Sequence, residues 1–265
     1  MILIGERINA GFKDIAAAIR EKDPTAVERW AKLQAEHGAD YLDVNIGAAS
    51  RDPEDMAWLV RTTTAVVPNK ISVDSTNIEI MKAGLEALDG REALINSTTA
   101  DPSKLEKLVP LAVQYNASLL GLAMDERGSP QNVERRVENA AMIFMAAIDG
   151  GLEPERLVLD PILMPIKFMQ EQAPNVLEAI EQFTHLSDPS PHISVGLSNV
   201  ASKVTERSLV VRTFLIMAMA RGLDAAICNV MDDELIAAVA TAELMLNQEI
   251  YSDSYERAFR ARRGL

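Results

Sequence analysis

Eight short apolar runs, each followed by an amphipathic stretch, set the tightest limit on how this chain folds. The runs cover 2–8, 40–46, 70–74, 92–96, 118–123, 156–160, 192–197 and 223–228. Helical patterns follow near 13–37, 53–66, 77–89, 103–116, 131–150, 174–186, 208–221 and 232–247. Strand runs that alternate with helices build a parallel sheet, because the helix is the crossover that brings the next strand back in the same direction. Eight such pairs in 265 residues match the size of a (β/α)8 barrel, a TIM barrel, formed as a single domain over 1–265. A doubly wound α/β sheet is the alternative. It calls for a Gly-rich phosphate turn after the first strand, and here that strand ends in GERINA (5–10). Asp14, Asp52 and Ser103 stand at expected N-caps, with Pro53 and Pro102 suited to helix starts. Gly38, Gly90 and Gly222 stand at expected helix ends.

The runs share a second property: they end in polar residues. The ends read GERIN (5–9), DVN (43–45), VDS (73–75), INS (95–97), LDP (159–161) and GLSN (196–199). In a parallel α/β protein, ligands bind at the carboxyl ends of the strands. Asp74, Asn96 and Asp160 each follow an apolar run, where a carboxylate or amide is costly to bury unless it is hydrogen-bonded. A ligand with a ring N–H beside an exocyclic NH2 satisfies a carboxylate bidentately, and an amide suits a mixed donor–acceptor edge. Capping of the next helix is the competing role, for Asp74 and Ser75 above all. Asn199 offers an uncharged amide to a tertiary amine nitrogen. Arg207, eight residues on, is within reach of an anionic tail.

The composition narrows the classes further. A net charge of −13 argues against nucleic acid and against an anionic membrane surface. No window approaches the ~20 apolar residues of a membrane span, and Glu6 and Arg7 interrupt the first apolar stretch where a signal sequence would run on. The single cysteine, Cys228, rules out an intrachain disulfide, and a reducing cytoplasm is the expected setting. The three histidines, His37, His185 and His192, show no metal-ligand spacing, and no bound metal is expected, although an all-oxygen magnesium site leaves no such pattern.

The segments, in this order, resemble the methyltetrahydrofolate:corrinoid (iron–sulfur) protein methyltransferases of the pterin-binding family, found in acetogenic and related anaerobic bacteria. The resemblance runs through GERIN, GADYLDVNIG (38–47), DSTN (74–77), INST (95–98), LDPILMP (159–165), GLSNV (196–200), RTFLIMAMARGLDAAI (212–227) and TAELMLNQ (241–248). It implies a TIM barrel, usually homodimeric. It implies that Asp74, Asn96 and Asp160 hold the pterin ring, and that Glu6, Asn9, Ser198 and Arg207 complete the folate site. Asn199 then contacts N5 and serves as the catalytic residue. The substrate is tetrahydrofolate or 5-methyltetrahydrofolate. The corrinoid (cobamide) comes on a separate partner, either a corrinoid iron–sulfur protein or the corrinoid protein of a demethylase system, with cob(I)amide as nucleophile or methylcobamide as donor.

The resemblance accounts for the absence of a corrinoid signature. Corrinoid-binding modules carry DxHxxG, and no histidine here has an aspartate two residues before it. It also shows a departure: Ser202 stands near the position of a glutamine in the acetogen enzymes. Two other readings share the barrel. One is a dihydropteroate synthase-like pterin enzyme, whose late serine–arginine–lysine segment is replaced here by LSNVASK (197–203). The other is a non-catalytic pterin-binding protein, in which Asn199 would be dispensable.

Overall fold

Alternation within each strand decides which side chains enter the barrel. The structure, a computed structural model, describes residues 1–263. Its strands are β1 (Ile2–Asn9), β2 (Tyr41–Asn45), β3 (Lys70–Asp74), β4 (Ala93–Thr99), β5 (Ser118–Leu122), β6 (Leu157–Asp160), β7 (His192–Ile193) and β8 (Ala225–Cys228). All neighbours pair in parallel, in the order β7-β6-β5-β4-β3-β2-β1-β8. Residues alternate inward and outward along each strand. Ile4, Leu94, Leu120 and Val158 form a small layer inside the barrel. Their neighbours Val44, Val73, Ile95, Leu119 and Leu159 join the larger core between sheet and helices.

The helices are α1 (Lys13–Glu21), α2 (Thr25–Glu36), α3 (Pro53–Thr64), α4 (Ile78–Glu86), α5 (Pro102–Gln114) and α6 (Val133–Asp149). They continue with α7 (Ile166–Met169), α8 (Gln172–Phe183), α9 (Arg207–Met219), α10 (Asp233–Met245) and α11 (Tyr255–Arg262). The barrel is nearly closed. Between β7 and β8 the ladder thins to a single bridge, Gly196 to Ile227, with Ile227 N–H donating to Val195 O at 3.0 Å. The Asp224 carboxylate reinforces that seam. It accepts from Ile193 N–H at 2.7 Å and lies 2.6 Å from His192 Nδ1.

The structure corrects the sequence reading at several places. The helix expected over 13–37 is two helices, because Pro24 disfavours helical backbone at Asp23 and Lys22 turns left-handed at φ 55°. Asp14 is not a cap. It lies inside the first turn of α1 and binds Arg7 and the Trp30 indole. Asp101, not Ser103, caps α5, accepting Ser103 N–H at 2.9 Å. Asp52 does cap α3, and Gly38, Gly90 and Gly222 do take left-handed backbone at helix ends. The strand expected over 192–197 keeps only two ladder residues, since Gly196 leads straight into a tight 3-10 turn, Leu197–Ala201. The basic terminal helix expected over 256–265 is α11, which buries Phe259; residues 264–265 lie outside the described ones. Among the described residues no helix is long and apolar enough to cross a membrane.

Candidate active site at the carboxyl mouth of the barrel

The alternation that puts Leu94 and Val158 inside the barrel also puts acids and amides above them. Asp43 and Asn45 on β2, Asp74 on β3, Asn96 on β4 and Asp160 on β6 all fall on inward positions near strand ends. Asp74 is the register partner of Asn96, and Asp160 that of Leu122. Asp43, Asn96 and Asp160 are buried, at 2%, 8% and 6% exposure. Asn96 Nδ2 donates to Asp43 Oδ1 at 3.0 Å, and Ser72 Oγ donates to the same oxygen at 2.5 Å. Asn45 Nδ2 donates to Asp74 Oδ2 at 2.5 Å. Asp74 and Ser75 do not cap the following helix; Asn77 does, accepting Glu79 N–H at 2.9 Å. Asp74 is thereby left to the mouth, where a cavity of about 510 Å³ lies between it and Asn45, Arg51 and Asn77.

None of Asp43, Asp74 and Asp160 forms a lysine or arginine ion pair among the described residues. Burial pushes the Asp160 carboxyl up to about 6, against the pull of the Ile162 and Gly196 backbone N–H groups. Burial, and then the neighbouring Asp74 charge, push Asp43 up to about 8. Asp74 is raised by burial as well. Desolvation here outweighs the hydrogen bonds available, so a ligand rich in N–H donors would favour the ionised form of these carboxyls.

The loop after β6 is built around Asp160. Asp160 Oδ1 accepts Ile162 N–H at 2.7 Å. Ile162 takes φ 68°, a left-handed conformation that costs a β-branched residue about 1–2 kcal/mol. The fully buried Arg136 compensates by anchoring the loop: its Nε donates to Pro161 O at 2.8 Å, and its terminal nitrogens reach Asn132 O and Gln172 Oε1.

A second group sits where the Leu197–Ala201 turn beyond β7 faces the carboxyl end of β1. Ser198 Oγ donates to Glu6 Oε1 at 2.7 Å, and an Arg207 terminal nitrogen lies 3.4 Å from Ser198 O. Burial raises Glu6, and the Ser198 hydroxyl and Arg207 charge oppose that shift. These three residues line a cavity of about 550 Å³ together with Phe12 and Met231. Asn9 is the register partner of Asn45, but its Oδ1 accepts Gly11 N–H at 2.8 Å, so half of its amide shapes the turn into α1. Asn199 is exposed on the 3-10 turn, and its side chain makes no hydrogen bond among the described residues. A Cβ on Gly196 would come within 2.8 Å of Asn199 Nδ2. The glycine of GLSN therefore makes room for that amide to fold back over the strand end.

The opposite mouth of the barrel provides a contrast. There a cavity of about 370 Å³ is lined by Tyr41, Lys70, Glu92, Arg156 and His192. Two of its charges are matched by ion pairs, Lys70 with Glu92 and His192 with Asp224, and the Arg156 guanidinium is held by the neutral Asn116 amide. That end reads as stabilising structure, whereas the carboxyl mouth carries unmatched acids.

With barrel and mouth together, the class is defined. Residues 5–229 match the family described as pterin binding enzyme, and the chain belongs to that family. More particularly, it is 30% identical over 263 residues to the methylcorrinoid:tetrahydrofolate methyltransferase of Eubacterium limosum, spanning 98% of this chain and 96% of that one. It is also 30% identical to the methionine synthase of Mycobacterium leprae, over 86% of this chain but only 20% of that longer protein. Among solved structures, the dihydropteroate synthase of Coxiella burnetii in complex with pteroic acid superimposes with a TM-score of 0.66 at 12% identity, covering 92% of this chain and 94% of that one. The dihydropteroate synthase of Stenotrophomonas maltophilia gives 0.66 at 18% identity, covering 95% and 94%. At such identities the likeness is one of fold, and the fold is the expected TIM barrel.

Sequence reasoning assigned no role to Asp43, Asn45, Ser72 or Arg136. A signal for Asp43 existed: in YLDVN it sits two residues from Tyr41 and from Asn45, so strand alternation puts all three on one face. Ser72 in KISVD carries the same mark. Arg136 had none, because its burial depends on where α6 lands.

Proposed function

We propose that this protein transfers a methyl group between N5 of tetrahydrofolate and the cobalt of a corrinoid carried by a separate protein. The observation that carries the reading is an exposed, unpartnered amide, Asn199, standing at the same mouth as unpaired buried acids. The 30% identity to a methylcorrinoid:tetrahydrofolate methyltransferase, over nearly the full length of both chains, supports it.

The pterin presents a ring N–H beside an exocyclic NH2, which Asp160 receives as an ionised acceptor. Each such charged hydrogen bond contributes about 1.5–3 kcal/mol. Asn96 and Asp74 take the remaining donor and acceptor edge, and Asp43 and Asn45 hold those two in place. Glu6, Asn9, Ser198 and Arg207 complete the folate contacts. Asn199 faces N5. A methyl on a tertiary amine leaves poorly until the nitrogen gains positive charge, so Asn199 accepts a hydrogen bond from N5 as that charge develops. The amide binds the activated nitrogen better than the ground state, which is where rate acceleration arises. No strong acid lies on the Asn199 turn, and water supplies the proton. The corrinoid contributes a cobalt centre able to accept a methyl group or, in the reverse direction, to donate one. It comes with a partner, a corrinoid iron–sulfur protein or a demethylase-system corrinoid protein, and the enzyme works as a homodimer.

The test is direct. Purified protein is mixed with methyltetrahydrofolate and cob(I)alamin, and the cobalamin spectrum is followed. Protein-dependent conversion to the methylated form is expected, with loss of the signal in Asn199→Ala. No acceleration over the protein-free mixture would end the reading.

A further inference from the structure

Most arginines of this acidic chain lie against carboxylates, as in Arg61 with Glu54, Arg221 with Glu181 and Arg262 with Glu249. Three exposed cations beside Asn199 form no ion pair among the described residues: Lys167, Lys203 and Arg207. Lys167 Nζ donates to Lys203 O at 3.0 Å, tying α7 to the loop beyond Asn199. Lys203 Nζ stands 5.8 Å from the centre of the Phe168 ring, which is itself 61% exposed. Arg207 reaches back to Ser198 O. The three thus bracket the Leu197–Ala201 turn. Between Asn199 and Arg207 the only acid is Glu206, and 161–170 contains none. In a chain of net charge −13 this is a local reversal of sign.

Folate chemistry gives that reversal a purpose. C6, which carries the benzoyl-glutamate arm, is bonded directly to N5. If N5 faces Asn199, the arm leaves the pocket across the same turn. We infer that Lys167, Lys203 and Arg207 receive the carboxylates of that arm, with Phe168 beside the benzoyl ring, and that the preferred substrate is a folate with an extended γ-glutamyl chain. Each added γ-glutamyl residue brings one more carboxylate past the cationic rim. The inference rests on the folate reading above and specifies the form of its substrate.

The experiment compares tetrahydrofolate monoglutamate and triglutamate by calorimetric titration, in wild type and in Lys167→Glu/Lys203→Glu. Both side chains are exposed, and thermal melting checks that the variant folds. Wild type should bind the triglutamate at least about fivefold more tightly at low ionic strength, the sum of a few surface ion pairs. Added salt should shrink that ratio. In the variant the ratio should fall below about twofold. Equal affinities in wild type, or a ratio that persists in the variant, overturn the inference. A persisting ratio with slower transfer to a protein-bound corrinoid would give these cations to the carrier protein instead. Wild type that binds neither folate overturns the pterin reading itself, which is a distinct result.

Discussion

Replacing Asp160 by asparagine changes the charge at the mouth while keeping the shape. Asp160 is 6% exposed, and its Oδ1 already accepts Ile162 N–H, a bond an asparagine oxygen preserves. What disappears is an ionised acceptor for two neighbouring ligand donors. Each charged hydrogen bond contributes about 1.5–3 kcal/mol, and the new NH2 faces a donor. A net loss of at least ~1.5 kcal/mol follows, or at least about tenfold in Kd. The pH profile sharpens the test. The free carboxyl sits at about 6, and donors from the pterin favour its ionised form, so its value drops in the complex. Below pH 6 binding must expel a proton, so affinity should rise with pH up to about 6 and level off above it. Asparagine carries no proton, and this part of the slope should vanish. The ligand's own titration is common to both proteins and cancels in their ratio. Calorimetric titration with methyltetrahydrofolate between pH 5 and 8 measures both quantities. A Kd within twofold of wild type and an unchanged profile would refute the assignment of Asp160 to the pterin.

The remaining expectations concern chemistry, proton linkage and packing. Asn199→Ala should slow single-turnover methyl transfer at saturating folate by about 10²-fold, well beyond its effect on affinity; an unchanged rate removes its transition-state role. Asp43 has a raised folded-state value of about 8, so the unliganded protein should lose stability as pH climbs from about 4 through 8. Urea unfolding at pH 5 and pH 8 should show a drop on the order of a few kcal/mol in wild type and a smaller one in Asp43→Asn; equal drops contradict the linkage. Gly121→Ala should cost about 1–3 kcal/mol in denaturant unfolding, because its Cβ would stand 2.6 Å from Ile143 Cγ2 where α6 crosses β5.

Much of the barrel was legible because its signals are local. The alternation in KISVD and LVLD, the Asp52 cap with Pro53, and the left-handed glycines at 38, 90 and 222 act within a few residues of themselves. So does the apolar run ending in a polar residue, which by itself puts Asp74, Asn96 and Asp160 at strand ends. The split at Pro24 was legible too, since Asp-Pro discourages helix at the preceding residue, but the amphipathic period across 13–37 masked it.

Tertiary structure alone decided where those strand ends face and what they meet. No local pattern reveals that Asp43 lies against Asn96, 53 positions away, or that Glu6 accepts from Ser198 across 192 positions. Nor does any show that Arg136 is buried under the loop it anchors, or that β7 shrinks to two residues while Asp224 holds the seam. The raised carboxyls follow from that assembly. Desolvation belongs to no single residue; it arises when eight strands close around a common axis and exclude the water that each acid, read singly, would have kept.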